Sequence, residues 1–390
     1  MEHELTCIER FQEIIKVIRV IAKMCGCDIL NPNYRMNFIT WLLIVGVNGF
    51  FLCTIYTIYK GMAIDHDWTV IPVCLCIIGS GIQGFAKILL VLKYRKVIVV
   101  QQYFLENVYT VYQQKTERYR HVLNRWLAYT VKTYKLCAFM YVFVGSIIIG
   151  FPYIYWYIYG IRMMIMQFEI PFVDPNTDVG YIIHTLYHFP MIAWGCLGHF
   201  MTDIYMFMFI INVPLLKDLL EQKFLDLNEI LEETNEREKV FPLLKDIFQW
   251  HLQYNEFIAG VDKIYRTIIF IEVTTCGLSI CCTIFSIVLG VWPAAYGYII
   301  YLIFCLYSFC IMGTLIEISN DNAIDIIYTV SHWYELKVPE QKMILIMLSK
   351  SQKPIELTVG QILPLSVSTA LKVTKGVYSF LMLLLNFLDK

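Results

Sequence analysis

Six ionisable side chains stand inside long apolar runs of this 390-residue chain: Lys87, Asp203, Arg266, Glu272, Lys372 and Lys375. A charge in hydrocarbon is costly, so such residues form ion pairs, line water-filled paths or relay protons. Lys87 lies near one end of its run, where its stem can snorkel. Asp203 lies in the corresponding half of its own run and is a partner for Lys87. Arg266 and Glu272 occupy the early turns of a third run. These four read as structural pairs, because no dense polar relay of the proton-pump kind surrounds them. Lys372 and Lys375, three apart, fit a helix face turned to a water-filled pore. His184 and His188 are four apart and share a helical face, a spacing that can seat a metal. No acidic or thiol side chain completes the set, so no metal is expected there. His199 follows in the same run. No Walker loop, His-Glu-x-x-His or Gly-x-Ser-x-Gly occurs, so nothing marks an enzyme and no cofactor is expected.

Aromatic residues make up 15% of the chain, and their spacing offers a second chemistry: an apolar pocket with few hydrogen-bond donors. The run Phe151–Tyr159 supplies an interfacial aromatic belt, but a full turn of aromatics cannot all face headgroups. Tyr153 and Trp156, three apart, are expected to turn one face inward, with Ile149 a turn before them. Tyr298 and Tyr301 repeat the spacing in a later run. Together with Ile77, Ser80, Tyr187 and Met191 they are the candidate lining of a site for a small, mostly hydrophobic ligand. Ser80 or a tyrosine would supply its single hydrogen bond.

The elements that must carry these residues are long helices. Seven apolar runs are each long enough to span a bilayer: Met36–Tyr59, Trp68–Leu92, Leu136–Tyr159, Tyr181–Ile211, Ile264–Leu289, Ala294–Leu315 and Thr358–Phe387. About 20 residues at ~1.5 Å rise cross a ~30 Å hydrocarbon core. The chain is 58% hydrophobic, has a mean hydropathy of +0.58 and is 16% charged, against roughly 25% charged in an average soluble domain. The fold class is therefore an all-α polytopic membrane protein with seven transmembrane helices. A net charge of -1 gives no sign of a nucleic-acid partner. Met1–Arg35 has no apolar core of a signal peptide. The thirteen cysteines lie mostly within the apolar runs and read as small buried hydrophobes rather than a disulfide framework.

Basic residues cluster in alternate connections. Arg10, Lys16, Arg19, Lys23 and Arg35 precede the first run, and similar clusters fill the second–third, fourth–fifth and sixth–seventh connections. The positive-inside rule then places the N-terminus in the cytoplasm and, after an odd number of spans, the C-terminus outside. G-protein-coupled receptors have the opposite orientation. Glu117-Arg118-Tyr119 and Asn31-Pro32-Asn33-Tyr34 look like two of their motifs, but both fall in the wrong places, as parts of a solvated basic helix and a turn. No internal repeat points to a secondary transporter. The cytoplasmic connections carry amphipathic patterns of their own. Leu219, Leu220, Phe224, Leu227, Ile230 and Leu231 form one stripe, and Ala323–Leu348 carries another around Pro339. Those stripes must be buried by helices packed below the membrane, within one subunit or between neighbours.

The last third of the chain resembles insect odorant receptors. The resemblance rests on Ser331-His332-Trp333-Tyr334-Glu335-Leu336, Ser351-Gln352-Lys353-Pro354, Leu365–Lys375 and Gly376-Val377-Tyr378-Ser379-Phe380. Length, span count and inverted orientation agree. The resemblance implies an odorant-gated, non-selective cation channel, a heteromeric tetramer with the family's co-receptor, in the plasma membrane of olfactory dendrites. The co-receptor's long insertion between the fourth and fifth spans is missing, so the chain looks like a ligand-tuning subunit. A gustatory-type channel is the alternative, with a G-protein-coupled receptor or a transporter behind it. Family anatomy implies a cytoplasmic N-terminal helical segment (1–35), six spans with the ligand pocket in their outer halves and cytoplasmic extensions (36–315, with extensions 93–135 and 212–263), a cytoplasmic anchor helix (316–357) and a pore-lining seventh span (358–390). The gate falls near the chain's end. It is Leu383 and Asn386 if Ser379-Phe380 is the family's small–aromatic pair. If Tyr378 is the matching aromatic, the facing set shifts around the helix toward Met382 and Leu385, because one residue of register is ~100° of rotation.

Overall fold

The computed structural model describes residues 6–31, 34–232 and 237–388, the last five of these by their backbone only. Thr6 opens the first helix through a capping box with Glu9, and α1 (Cys7–Met24) buries the stripe Phe11, Ile15, Ile18 and Ala22. Asn37 caps α2 (Phe38–Ala63) by accepting from Thr40 N at 3.0 Å. Two helices follow almost end to end, α3 (Val70–Lys93) and α4 (Arg95–Tyr112). The next three are long: α5 (Glu117–Tyr159, 43 residues), α6 (Asp178–Glu232, 55 residues) and α7 (Arg237–Val288, 52 residues). Gly160, at φ 71°, ends α5 in the left-handed conformation that glycine adopts without strain. Then come α8 (Ala295–Asp325), α9 (Val338–Ser351) and α10 (Val367–Leu388). Among the described residues six helices are long and apolar enough to cross a membrane (α2, α3, α5, α6, α7 and α8), and α10, at 22 residues, has the length to do so.

At ~1.5 Å per residue α6 is roughly 80 Å long, far more than a ~30 Å hydrocarbon core. The cytoplasmic stripes expected from sequence are the continuations of the spans themselves. α1, α4, α9 and the ends of α5, α6 and α7 pack into one basal bundle below the spans. Every residue of α6 from His199 to Leu216 is buried, so this helix is the axis of the molecule. Prolines 152, 190, 214 and 242 lie within helices without ending them. Polar contacts lock the basal bundle. Trp250 Nε1 donates to the Leu216 carbonyl at 3.0 Å, Tyr254 donates to Asn320 at 2.9 Å, and Lys223 pairs with Asp246.

Two sequence expectations fail here. The amphipathic stretch Ala323–Leu348 is not one helix. After α8 the chain makes a π-helical turn at Ile326–Val330 and a 3-10 turn at Trp333–Glu335. Asn228 holds this break, donating to the Val330 carbonyl at 2.8 Å and accepting from His332 N at 3.1 Å. Pro339 then sits in the first turn of α9, where its missing N–H costs nothing. The seventh span does not begin at Thr358. Thr358–Val359 and Leu363–Pro364 form a small antiparallel hairpin, β1 and β2. Gly360 and Gln361 both have positive φ, the signature of a tight hairpin turn, and the last helix starts only at Val367. Gly313 of α8 lets that helix dock. A Cβ there would lie 1.9 Å from the Leu365 carbonyl oxygen.

Candidate ligand-binding cavity

A half-open cavity of about 180 Å³ lies among α2, α3, α5, α6 and α8. Of the residues expected to line it, Ile77, Ser80, Met191, Tyr298 and Tyr301 do so. Ile149, Tyr153 and Trp156 do not. α5 turns Val144 and Ile148 to the cavity instead, and Ile149, one residue on, is rotated away. Tyr153 and Trp156 lie past the cavity's end, 38% and 42% exposed, with the Arg162 guanidinium over the Trp156 ring at 5.3 Å. Tyr187 is also absent from the lining. Its hydroxyl donates to the Gly46 carbonyl at 3.0 Å and ties α6 to α2. Sequence reasoning missed Phe50, Tyr141, Trp194, His199 and Trp292, which complete the wall. No spacing signal marks them: Phe50, Tyr141, Trp194 and His199 stand in long, largely apolar runs, and Trp292 in the short connection before Ala294.

The wall is apolar except along one side. Tyr298 donates to the Cys76 carbonyl at 3.1 Å and so accepts from the Ser80 hydroxyl at 2.6 Å. Its ring packs on Trp292 and Tyr301, and Tyr301 meets Tyr141 edge to face at 5.5 Å. Tyr141 donates to Asp203, a residue outside the cavity.

Asp203 belongs to an ion cluster buried between helices. Lys87 Nζ lies 2.6 Å from Asp203 and 2.9 Å from Glu272. His199 Nε2 donates to the Ser80 carbonyl at 3.2 Å, which leaves Nδ1 to accept from Lys87 at 3.2 Å. The Lys87–Asp203 pair is the one anticipated. The snorkelling is not: Lys87 is 1% exposed, because two carboxylates and an imidazole draw it inward. Arg266 takes no part and pairs with Asp262 on its own helix. The cluster joins α3, α6 and α7 directly beside a cavity wall made by α5 and α8.

From Glu272 the path to the last helix is short. One turn on, Gly277 of α7 packs against Val373 of α10, and the Cys281 thiol approaches the Val377 carbonyl at 3.9 Å. α8 holds the other side, where Thr314 accepts from Val367 N at 3.0 Å. Lys372 and Lys375 are exposed on the face of α10 turned away from both helices. Met382 and Leu383 are exposed as well, whereas the side chains of Leu385 and Asn386 lie outside the described residues.

The loop between α5 and α6 covers the distal end of the cavity with Met166. The paired histidines hold it. His184 donates to the Gly180 carbonyl through Nδ1 and accepts from Ile170 N at 2.9 Å, and His188 accepts from Met166 N at 3.4 Å. Lys60 pairs with Glu169 at 2.6 Å in the same loop. The four-residue spacing thus serves a loop rather than a metal. All thirteen cysteines are free thiols.

A family model described as 7tm Odorant receptor matches residues 70–378. A Drosophila melanogaster protein that carries the name odorant receptor 83c is 25% identical over 398 residues, covering 97% of each chain. Two solved structures of the olfactory receptor OR5 from Machilis hrabei share the fold. The complex with eugenol superposes with a TM-score of 0.75 at 13% identity, over 96% of this chain and 98% of that one. The structure titled without a ligand gives 0.77 at 12% identity, with the same coverage. The matched segment takes in the ion cluster, the cavity wall apart from its α2 side, and the first half of the last helix, and the chain belongs to the 7tm odorant receptor family.

Proposed function

We propose that the protein is the odorant-tuning subunit of a ligand-gated, non-selective cation channel. It binds a small hydrophobic volatile in the cavity and opens a pore lined by α10 together with the family's co-receptor. The observation that carries this reading is the continuous contact from cavity to last helix: Tyr301 and Tyr141 on the wall, Asp203, Lys87 and Glu272 behind it, then α7 against α10. Ligand shifts a closed–open equilibrium only by its differential affinity for the two states. A ligand that displaces Tyr141 alters the hydrogen bond to Asp203 and has such a difference to offer. A volatile of about a dozen heavy atoms held by apolar contact supports micromolar action, roughly -8 kcal/mol.

The basic basal bundle lies in the cytoplasm and the end of α10 outside, on the positive-inside rule. The site of action is the plasma membrane of an olfactory dendrite. α6 ends at Glu232 and α7 starts at Arg237, leaving no room for the long co-receptor insertion. The gate lies among Met382, Leu383, Leu385 and Asn386, and the chain works within a heteromeric tetramer. The test is whole-cell current from cells expressing this chain with and without the co-receptor, under a panel of volatiles. Odour-gated cation current only in the pair is expected. Tyr298→Ala should shift the half-maximal concentration by tenfold or more, the scale of one lost aromatic contact of about 1.4 kcal/mol. Trp156→Ala should leave it within about twofold, since its ring is outside the wall. Absence of current, with G-protein coupling and an N-terminal tag readable on intact cells, would overturn the reading.

A further inference from the structure

A second concavity, of about 400 Å³, opens between α1 and α4 on the side of the basal bundle. Lys16, Arg19 and Lys23 line it from α1 at three- and four-residue spacing, facing Gln102, Tyr103 and Glu106 of α4. We propose that this cleft binds the phosphorylated inositol headgroup of an anionic membrane lipid.

The cations are available. Arg19 pairs with Asp28 at 3.2 Å, but neither Lys16 nor Lys23 makes an ion pair among the described residues. The opposite wall supplies acceptors. Gln102 donates to Glu106 at 2.8 Å, and its carbonyl oxygen is buried without a partner. Cations on one wall and acceptors on the other fit a ligand that carries phosphate and hydroxyl groups together. A bare phosphate would leave the Gln102 oxygen unanswered, at the usual cost of an unsatisfied buried acceptor.

Position identifies the source as a lipid. The Lys23 end of the cleft abuts the peptide at Leu30, whose neighbour Ile29 accepts from Arg95 at 2.9 Å. Arg95 begins α4 two residues after the apolar helix α3 ends at Lys93, which we take as the edge of the membrane. Lys23 therefore stands at the headgroup level, and Lys16 lies about 10 Å below it, seven residues along the helix. A ring with a phosphodiester at one end and a further phosphate at the other spans that distance. A serine headgroup does not. Met24, one residue beyond Lys23 and about half exposed, offers an apolar side chain at the same level. The membrane leaflet involved is the cytoplasmic one if the orientation proposed above holds, since anionic headgroups concentrate there.

The experiment uses the purified full-length chain in nanodiscs of phosphatidylcholine. Thermal unfolding midpoint and titrated affinity are read after adding phosphatidylinositol bisphosphate, or phosphatidylserine at matched charge. Soluble inositol trisphosphate and inorganic phosphate are added separately. The bisphosphate lipid should stabilise the chain more than matched phosphatidylserine, the soluble headgroup should compete, and inorganic phosphate should do neither. Lys16→Gln with Lys23→Gln should weaken lipid binding by roughly tenfold or more, while Lys245→Gln, on another exposed surface, should leave it unchanged. Equal responses to both lipids, competition by inorganic phosphate, or an unaffected double variant would each overturn the site. Discs expose both faces, so the result does not depend on orientation, which the N-terminal tag tests by itself.

Discussion

Cavity and ion cluster meet through Tyr141, with its ring in the wall and its hydroxyl on Asp203, and through His199, which lines the wall and accepts from Lys87. Behind it, among the described residues, Lys87 is the one cation paired with two buried carboxylates, Asp203 and Glu272. Removing one partner of a buried ionic group costs about 3–5 kcal/mol, whereas replacing the whole group with apolar residues is often neutral. Lys87→Met should therefore abolish folded protein at the cell surface. The triple variant Lys87→Met, Asp203→Leu, Glu272→Met should restore it while leaving ligand response altered. Surface labelling and thermal midpoints in detergent check this. A triple variant as unstable as the single one would deny the cluster an electrostatic role. The Lys87–Asp203 pairing was legible because opposite charges lay at the same depth of two spans. That Glu272 pairs with Lys87, and Arg266 does not join them, was not legible, because depth carries no information about rotation. Arg266, six residues earlier, faces elsewhere and finds Asp262 one turn back. Ile149 failed for the same reason: the inward residue is its neighbour Ile148.

At the scale of elements, apolar length and amphipathic stripes foretold which segments are helical. Their continuity was hidden, because the charges that follow each apolar run, and Pro214 just after Ile211, look like helix ends. In the structure each proline disturbs one local hydrogen bond that tertiary packing outweighs. The hairpin before α10 was masked by its apolar composition, which merged it with the span that follows. The joint between α7 and α9 is the element whose stability should follow pH. His251 accepts from Ser351 at 2.8 Å and is buried beside Asn255. Burial, with Lys350 nearby, pushes it down from 6.5 to about 4. The native state thus resists a proton that the unfolded chain takes up. Stability is complete above pH 6.5 and declines as pH falls from 6.5 toward 4. Thermal midpoints across that range should drop for the native chain and drop less for His251→Gln. Superimposable profiles would assign the acid sensitivity to other groups.

For the whole molecule, the arrangement of α10 matters most. One side of it packs on α7 and α8, and the other presents Ser368, Lys372, Lys375 and Ser379 at three- and four-residue spacing. Two ammonium groups facing lipid would be costly, which favours the proposed assembly, in which this stripe turns to water. Lys375→Glu should then raise single-channel cation conductance, by roughly twofold or more for a two-charge change at a pore wall. Conductance equal to that of the parent would remove Lys375 from the permeation path. The ion cluster has a further consequence, in the order of synthesis. Lys87 enters the membrane with α3, but Asp203 lies 116 residues later (203 − 87) and Glu272 lies 185 residues later (272 − 87). At about 5–20 residues per second, the ammonium waits from several seconds to about half a minute for its counterions. During that interval α3 is a span with an unpaired charge, disfavoured by about 2.5–3.5 kcal/mol on the insertion scale. The contact that steadies the finished receptor is thus the weak point of its biogenesis, where slowed translation or a missing chaperone would be felt first.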